Sequence, residues 1–403
     1  KRDKRAMLSL VKGESSEQNY IAPRDEIEST LAEIWQELLS VEKVSVEDNF
    51  FNLGGDSILS IQSVARAAKQ GLHYTTRNLF EKKTIAALRP LVTQKLRNSI
   101  QTPCIGSFKL LPVQREFLAE TSNKHHYNQS ITVEVEGRLF TRHNLSALLA
   151  VLVQRHDIMR ASFTTNESGI YLSESEIDFN QVLEVVDAAG LSKEEIEVKL
   201  NGVQSALNIC DGPLFKWVLL NLEGKQQLFW CSHHMIVDGV SWRILLEDLN
   251  TLWRQFSTSA PLKLANKTSS FATWSEYLYK GLSEGVFEEQ QAYWQRQSSI
   301  AASVVKPTSV ESKPPKYRNI RLQWDERVTE NLVKRSIKAF NMRVDEILLA
   351  GILLAFNRFN GAKQLSLLME SHGRNPFDSD LDLTQTVGWF TAKYPLTIQM
   401  NGD

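Results

Sequence analysis

The chain has 403 residues, 42% of them hydrophobic, and this length predicts more than one domain. Its 46 lysines and arginines nearly balance its 47 aspartates and glutamates, which gives a net charge of −1. The protein therefore has no overall positive potential that would attract nucleic acid or an anionic membrane. The three cysteines have no paired spacing and argue against a disulfide framework. Neither a membrane span of ~18 apolar residues nor a signal-peptide core is present, so we expect a cytoplasmic protein.

Helical periodicity dominates residues 20–96, which follow a polar linker at 1–19. The first predicted helix has an apolar stripe consisting of Ile27, Leu31, Ile34, Trp35, Leu38 and Leu39. Further helices are predicted over Ser57–Lys69 and over Thr84–Leu96, the last with Thr84 as its cap. Residues 20–96 are therefore predicted to form a small all-α bundle, followed by a linker at 97–109.

From residue 110 onward the pattern changes to that of an α/β domain. Strand alternation in "QSITVEVEG" is followed by helical spacing in "NLSALLAVLVQRH", and further strands are predicted at "FKWVLLNL" and "QQLFWCSHH". The Ser- and Pro-rich segment "SIAASVVKPTSVESKPPKYRN" resembles a bridge, and helices are predicted beyond it at Arg327–Phe340 and Val344–Phe359. We therefore expect two lobes, at 110–295 and 296–403.

The stretch "FFNLGGDSILSIQ" places Ser57 openly at the head of a predicted helix. Gly54 and Gly55 allow a tight turn, and Ser57 could simply cap the helix, a role that Asp56 could fill equally well. An exposed hydroxyl at this position also suits a phosphodiester, because free amides and the helix dipole favour a negative group. The residues alone leave both interpretations open.

The stretch "FWCSHHMIVDGVSWRILLEDL" contains a pair of histidines and an aspartate. If the strand extends to His234, alternation puts Ser232 and His234 on one face and His233 on the other, so only one histidine lines a given cavity. Instead of lining a cavity, such a histidine could be an ordinary core residue that is hydrogen-bonded to its neighbours. A metal site is the weaker alternative, because opposite faces separate the two histidines. Asp238 is predicted to hold the turn into the next helix, which has a buried stripe of Val240, Ile244, Leu245 and Leu249.

The motif "DNFFNLGGDSILSIQ" resembles that of the carrier proteins of nonribosomal peptide synthetases. The resemblance covers 20–96 and implies a four-helix carrier bundle with 4′-phosphopantetheine attached to Ser57, beside Asp56. Within that family, "GGDSI" is similar to carriers that precede an epimerisation domain. The start "KRDKRAML" resembles the closing motif of an adenylation domain, with Lys1 at the position of that family's catalytic lysine.

The motif "HHMIVDG" resembles HHxxxDG of the condensation and epimerisation superfamily, and "GVSWRIL" is similar to epimerisation domains in particular. This resemblance covers Leu110–Asp403. It implies a two-lobed α/β fold like chloramphenicol acetyltransferase, in which His234 is catalytic and Asp238 structural. Ser232 and Trp389, the latter in "VGWFT", are expected at the channel. Epimerisation domains normally continue past that motif, so we expect the second lobe to be truncated here.

The segment "MESHGRNPF" resembles an epimerisation motif in which Glu370 is the second acid/base group. Its alternative is an ordinary surface carboxylate or a salt-bridge partner of Arg374. Glu370 follows the apolar stretch "LSLLM", so we expect a strand that partly buries it, and His372, two positions on, would share its face and orient it. The resemblance also implies that Arg374 pairs with Asp238.

The sequence thus predicts a carrier–epimerisation didomain that converts an L-aminoacyl or peptidyl thioester on Ser57 into an L/D mixture. The alternatives are a condensation domain with its carrier, which would form peptide bonds with the same histidine, and an inactive docking module. The implied partners are an upstream adenylation domain, a downstream condensation domain of the next module and a phosphopantetheinyl transferase. We expect no bound metal, nucleic acid or membrane.

Overall fold

The computed structural model describes residues 20–94, 100–121, 123–135, 139–163, 169–304, 320–340, 342–377 and 381–400. The linker predicted at 1–19, including Lys1, lies outside them. Two compact units divide the chain, one made of Lys1–Leu96, Phe287–Glu370 and Lys393–Asp403, the other of Arg97–Val286 and Ser371–Ala392. Among the described helices, none combines the length and the apolar character needed to cross a bilayer.

Residues 20–94 of the first unit are helical, as predicted. The helices are α1 (Glu26–Leu39), α2 (Ser57–Lys69), α3 (Thr76–Lys82) and α4 (Ile85–Leu88), followed by a 3-10 turn at Arg89–Leu91. The first two confirm the predictions. The third predicted helix is wrong in length, because Pro90 cannot continue an α-helix and the chain turns after Leu88.

Apolar side chains from all four helices and their loops close around one core. Trp35 and Phe50 lie at its centre with ring centroids 4.9 Å apart. Its fully buried members are Leu31, Trp35, Val44, Val46, Phe50, Ala67, Leu79, Ile85 and Leu88. The stripe read from the sequence of α1 therefore packs inward, and this burial stabilises helices that would be marginal alone.

The second unit contains two sheets. Strands β1 (Gly106–Phe108), β3 (Ala161–Phe163) and β4 (Ile170–Leu172) form one, in the order β1-β4-β3. Strands β2 (Asn128–Val135), β5 (Leu183–Asp187), β6 (Phe215–Leu222) and β7 (Lys225–His233) form the other, in the order β2-β7-β6-β5. In this second sheet β5 and β6 are parallel and the other pairs antiparallel. The register pairs Asn128 with His233, which brings the start of β2 to the end of β7.

Six α-helices are described in the second unit. They are α5 (Pro112–Glu120), α6 (Arg142–Arg155), α7 (Phe179–Val182), α8 (Lys193–Ser205), α9 (Gly239–Ser257) and α10 (Phe271–Ser283). The buried side of α9 includes the predicted stripe Val240, Ile244, Leu245 and Leu249. Together with the sheets, they confirm the α/β class.

The remainder of the first unit follows α10 in the chain. It contains α11 (Glu288–Val304), α12 (Glu326–Glu330), a π-helical stretch at Asn331–Ser336, α13 (Ile337–Phe340) and α14 (Val344–Asn360). Strands β8 (Gln364–Ser371) and β9 (Ala392–Gln399) pair with each other. The helix predicted at Val344–Phe359 is confirmed to within a residue of its end. The helix predicted at Arg327–Phe340 is confirmed in extent, but its middle is π-helical.

Candidate active site

A tight turn presents Ser57 at the start of α2. Gly54 adopts a φ of +103°, which favours glycine, and a Cβ on Gly55 would overlap the Phe50 ring. Asp56 caps the helix, since its carboxylate accepts hydrogen bonds from the backbone amides of Ile58 and Leu59, both at 2.8 Å. The cap is therefore supplied by Asp56, and Ser57 is the exposed first residue of the helix.

This arrangement fits a phosphodiester-linked group. The Ser57 side chain is exposed and the cap does not depend on it. A negative phosphate at the first turn of a 13-residue helix would lie at the favourable end of its dipole. Of the two interpretations that the sequence left open, capping by Ser57 is wrong.

His233 is a buried structural histidine. Its side chain is 0% exposed, its Nε2 donates to the Lys124 carbonyl at 2.9 Å, and its Nδ1 accepts from the Met235 amide at 3.2 Å. Burial lowers the pKa of His233 to about 4. Both ring nitrogens are thus engaged in holding the turn after β7, and the ring is neutral near pH 7.

His234 lies outside the strand, contrary to the predicted range. Strand β7 ends at His233, and His234 opens a 3-10 turn to Ile236. The backbone amide of His234 donates to the Tyr127 carbonyl at 2.8 Å, and its partly exposed ring stacks on Tyr127 with centroids 5.0 Å apart and planes 12° apart. The two histidines do differ in exposure, but the turn that ends the strand separates them, not the alternation of a continuing strand.

The same correction applies to Ser232. Trp230 Nε1 donates to Ser232 Oγ at 3.0 Å, which confirms that these two residues share a face of β7. Ser232 is only 1% exposed. We expected Ser232 beside His234 at a channel because a strand through His234 would put both side chains on one face. Strand β7 ends at His233, so that reason is wrong.

Asp238 is both a helix cap and half of a buried ion pair. Its Oδ1 accepts from the Ser241 amide at 2.7 Å at the start of α9. Arg374 Nη2 donates to Oδ1 and Oδ2 of the same carboxylate at 3.0 and 3.1 Å, and both residues are buried. The expected pairing of Arg374 with Asp238 is confirmed, and the contacts of Asp238 are those of a structural residue.

Arg374 also anchors the chain around residues 371–392. It donates to the carbonyls of Leu383 and Thr386, and its guanidinium lies 3.9 Å from the centroid of the Phe390 ring. Burial lowers the pKa of Arg374, while Asp238 acts in the opposite direction and favours the charged form. Ser241 Oγ donates to the Gly388 carbonyl at 2.8 Å, so one carboxylate, one hydroxyl and one guanidinium fasten this segment to α9.

Glu370 and His372 depart from the expected arrangement. Glu370 lies on β8 as predicted, but it is exposed, so the expected partial burial is wrong. Strand β8 ends at Ser371, so strand alternation does not extend to His372. His372 instead accepts a hydrogen bond at Nδ1 from the Arg374 amide at 3.0 Å, and burial lowers its pKa to about 4. The proposed orienting role of His372 therefore loses its basis in strand geometry.

An aromatic cluster surrounds His234. Trp389 is 5% exposed, and its ring centroid lies 4.5 Å from that of His234. Tyr127, which the sequence did not single out, stacks on both His234 and Phe117. The register of β2 against β7 brings Tyr127 to His234, and that register cannot be predicted from the sequence of either segment alone. Within the described residues, no group of three or more His, Cys, Asp or Glu side chains is placed to hold a metal ion.

Comparison with family models gives two matches in chain order. The model described as phosphopantetheine attachment site matches residues 29–89, and the model described as condensation domain matches residues 105–403. The second match covers well over half of the chain.

Two curated relatives illustrate the wider similarity. One protein of the linear gramicidin synthase of Brevibacillus parabrevis is 34% identical over 409 residues, which cover 99% of this chain and 8% of that protein. Tyrocidine synthase 1 of the same organism is 32% identical over 394 residues, covering 96% of this chain and 36% of that protein. The chain thus spans far less than two thirds of the length of these relatives.

Solved structures resemble the chain to different degrees. The epimerization domain from the third module of tyrocidine synthetase B matches with a TM-score of 0.66 and 25% identity, covering 76% of this chain and 69% of that one. The first condensation domain of the CDA synthetase matches with a TM-score of 0.55 and 19% identity, covering 73% of this chain and 70% of that one. The latter likeness shows the fold alone.

Proposed function

Because the chain belongs to the condensation-domain family, with a phosphopantetheine attachment domain ahead of it and nonribosomal peptide synthetases as relatives, we propose that it is a carrier–epimerisation pair. Its reaction would invert the α carbon of an L-aminoacyl or peptidyl thioester and give an L/D mixture. The observation that carries this proposal is the likeness to the tyrocidine epimerization domain, at higher identity and TM-score than the condensation domain described above.

In this proposal Ser57 holds the 4′-phosphopantetheine arm. When attached, that group would supply a thiol that carries the substrate as a thioester, which tethers the substrate and makes its α proton easier to remove. The protein's contribution is an exposed hydroxyl on a turn that Gly54 and Gly55 shape, with the helix cap supplied by Asp56. The adenylation domain that would load the arm, the transferase that would attach it and the condensation domain that would take the product are partners implied by the same proposal.

We assign the first proton transfer to His234. His234 is partly exposed, unlike His233, and histidine is the side chain that most often serves as a general base. Epimerisation also requires a proton to return to the opposite face of the α carbon. Glu370 is our candidate for the second acid/base group, on the basis of the motif "MESHGRNPF". A condensation reaction needs no such second group.

The experiment loads Ser57 with an L-aminoacyl pantetheine, using a phosphopantetheinyl transferase and the aminoacyl coenzyme A. Hydrolysis and chiral chromatography then follow the enantiomers over time. We expect the D enantiomer to accumulate to a stable ratio, and the same ratio to be approached from the D-loaded protein. His234→Ala should be loaded equally but retain its starting enantiomer.

Addition of a second carrier, loaded with an acceptor amino acid, separates this proposal from condensation. An epimerase gives the D enantiomer whether or not the acceptor is present. A dipeptide on the second carrier, without inversion on the first, would overturn the proposal in favour of a condensing domain. A loaded protein that changes neither enantiomer nor bond would favour the docking module.

A further inference from the structure

Tyr127 touches His234 with both its main chain and its side chain. The Tyr127 carbonyl accepts the His234 amide at 2.8 Å, and the two rings lie 5.0 Å apart with an interplanar angle of 12°. Phe117 stacks on Tyr127 in turn, with centroids 4.9 Å apart and planes 28° apart. The position of the imidazole is therefore coupled to a ring that is itself held by a helix side chain.

Trp389 contacts the same imidazole. Its centroid lies 4.5 Å from His234 and 5.9 Å from Tyr127. The two rings differ in access, because Trp389 is 5% exposed whereas Tyr127 is 43% exposed. Trp389 thus belongs to the packed interior, and Tyr127 is the neighbour of His234 that also meets solvent.

We propose that Tyr127 is a positioning residue that holds the His234 imidazole in its working orientation, an inference that rests on the proposed function. When the α proton passes to a nitrogen of His234, its bonding electron pair stays on the substrate and the imidazole becomes positively charged. A parallel aromatic face fixes the plane of the ring and favours its cationic form. General-base catalysis depends steeply on such orientation, since the nitrogen must point at the proton it removes.

The side chain of Tyr127 can be tested separately from its main chain. The bond from the His234 amide to the Tyr127 carbonyl survives any substitution of Tyr127 by a non-proline residue, as does the pairing of Asn128 with His233. Tyr127→Phe keeps the stacked ring and loses only the hydroxyl. Tyr127→Leu keeps comparable apolar bulk but removes the aromatic face.

The activity test uses the unmodified protein with an L-aminoacyl pantetheine thioester in solution, so that kcat and KM are separable. For Tyr127→Leu we expect kcat to fall about 10–100-fold, with KM within about twofold of wild type. Tyr127→Phe should restore kcat to within a few-fold of wild type. Tyr171→Leu is the control, because Tyr171 on β4 is exposed to a similar degree, 47%, and its substitution should leave both constants unchanged.

A second measurement does not depend on activity. In protein labelled with ¹³C-histidine, the ring signals of His234 are identified by their loss in His234→Asn. We expect Tyr127→Leu to move them downfield, because the ring current of Tyr127 is lost, and Tyr127→Phe to leave them close to wild type.

The outcomes separate the two ideas. If wild type epimerises and Tyr127→Leu matches it in kcat, the positioning role is wrong although the function stands. If Tyr127→Phe is as slow as Tyr127→Leu, the hydroxyl acts rather than the stacked ring, and the proposal is overturned. If wild type loaded on Ser57 neither exchanges nor epimerises its substrate, the proposed function fails, and unmoved His234 signals in Tyr127→Leu would then overturn the positioning role independently.

Discussion

Arg374 donates from a single nitrogen, Nη2, to both carboxylate oxygens of Asp238, at 3.0 and 3.1 Å. The same carboxylate caps α9 through the Ser241 amide and accepts from the Phe390 amide at 3.1 Å. A carboxylate removed from water is thus compensated by one cation and two amides. The pair joins the start of α9 to the segment at 371–392 within one unit.

Removing the cation should be costly. Arg374→Met leaves the Asp238 carboxylate buried without its counter-ion, so we expect the free energy of unfolding to fall by about 3–5 kcal/mol. Asp238→Asn in the same background should recover part of that loss, because the buried charge disappears. Urea unfolding of wild type, both single variants and the double variant checks this, and additive losses would show that the pair is not coupled.

We expect Ser57 to be the only residue that accepts the phosphopantetheine arm. Intact mass after incubation with a transferase and coenzyme A should show one added arm on wild type and none on Ser57→Ala. Ser29→Ala, in the first turn of α1, is a matched control and should be modified like wild type. An arm on the Ser57→Ala protein would contradict the assignment.

His233 predicts a pH dependence of stability. Its pKa is about 4 in the folded protein against an ordinary value of 6.5, so between these values the unfolded state binds more protons. The stabilisation is therefore complete above about pH 6.5 and is lost as the pH falls towards 4. The free energy of unfolding should fall less between pH 7 and pH 4 in His233→Gln than in wild type, by about 2–3 kcal/mol.

Urea unfolding at pH 7, 6, 5 and 4 measures this difference. The stability of His233→Gln should still depend on pH, in part through His372. Burial lowers the pKa of His372 to about 4 as well. Parallel curves for wild type and His233→Gln would show that His233 does not titrate differently in the two states.

Glu370→Gln keeps the size of the side chain and removes its basicity. We expect epimerisation to slow about 10²–10⁴-fold, as for other acid/base groups. In deuterated solvent, deuterium should enter the loaded thioester of one enantiomer much faster than that of the other. Glu197→Gln, at an exposed position of α8, is the control. Equal wild-type exchange from both enantiomers in Glu370→Gln would leave Glu370 without a role.

Gly373 is constrained both by its backbone conformation and by a close neighbour, whereas Gly190 is constrained by its backbone conformation alone. The φ of Gly373 is +64°, and a Cβ at this position would overlap the Phe390 carbonyl oxygen. Gly190 has a φ of +84° with open space around a Cβ. We expect Gly190→Ala to cost about 1–2 kcal/mol from the backbone alone, and Gly373→Ala to cost clearly more because the segment must shift. Thermal or urea unfolding compares them.

Local signals predicted some elements well. The bounds of α2 follow from Asp56 as its cap and from an apolar period that ends at Ala68, next to the last helical residue, Lys69. The helix predicted from Thr84 is wrong in length because Pro90 cannot continue it. The sequence does not predict helix α3, although Thr75 and Asn78 form a capping box, because seven residues are too few to show a helical period of apolar side chains.

The arrangement of the site was harder to predict from the sequence than the fold. The sequence separated His233 from His234 through strand alternation, whereas the structure separates them by ending the strand at His233. The stacking of Tyr127 on His234 depends on pairing between segments about a hundred residues apart, and no local pattern encodes such a register. Asp238 and Arg374 were linked only through the family resemblance.

The attachment of residues 371–392 to α9 has a practical consequence for dissecting a synthetase. The second unit is not one stretch of chain, so a fragment ending at Val286 would retain the Asp238 carboxylate without Arg374 and the Ser241 hydroxyl without Gly388. Such a fragment would expose Phe271, whose ring packs against Phe390. An exchange of this unit between synthetases therefore has to transfer both pieces together, or join them by permuting the chain.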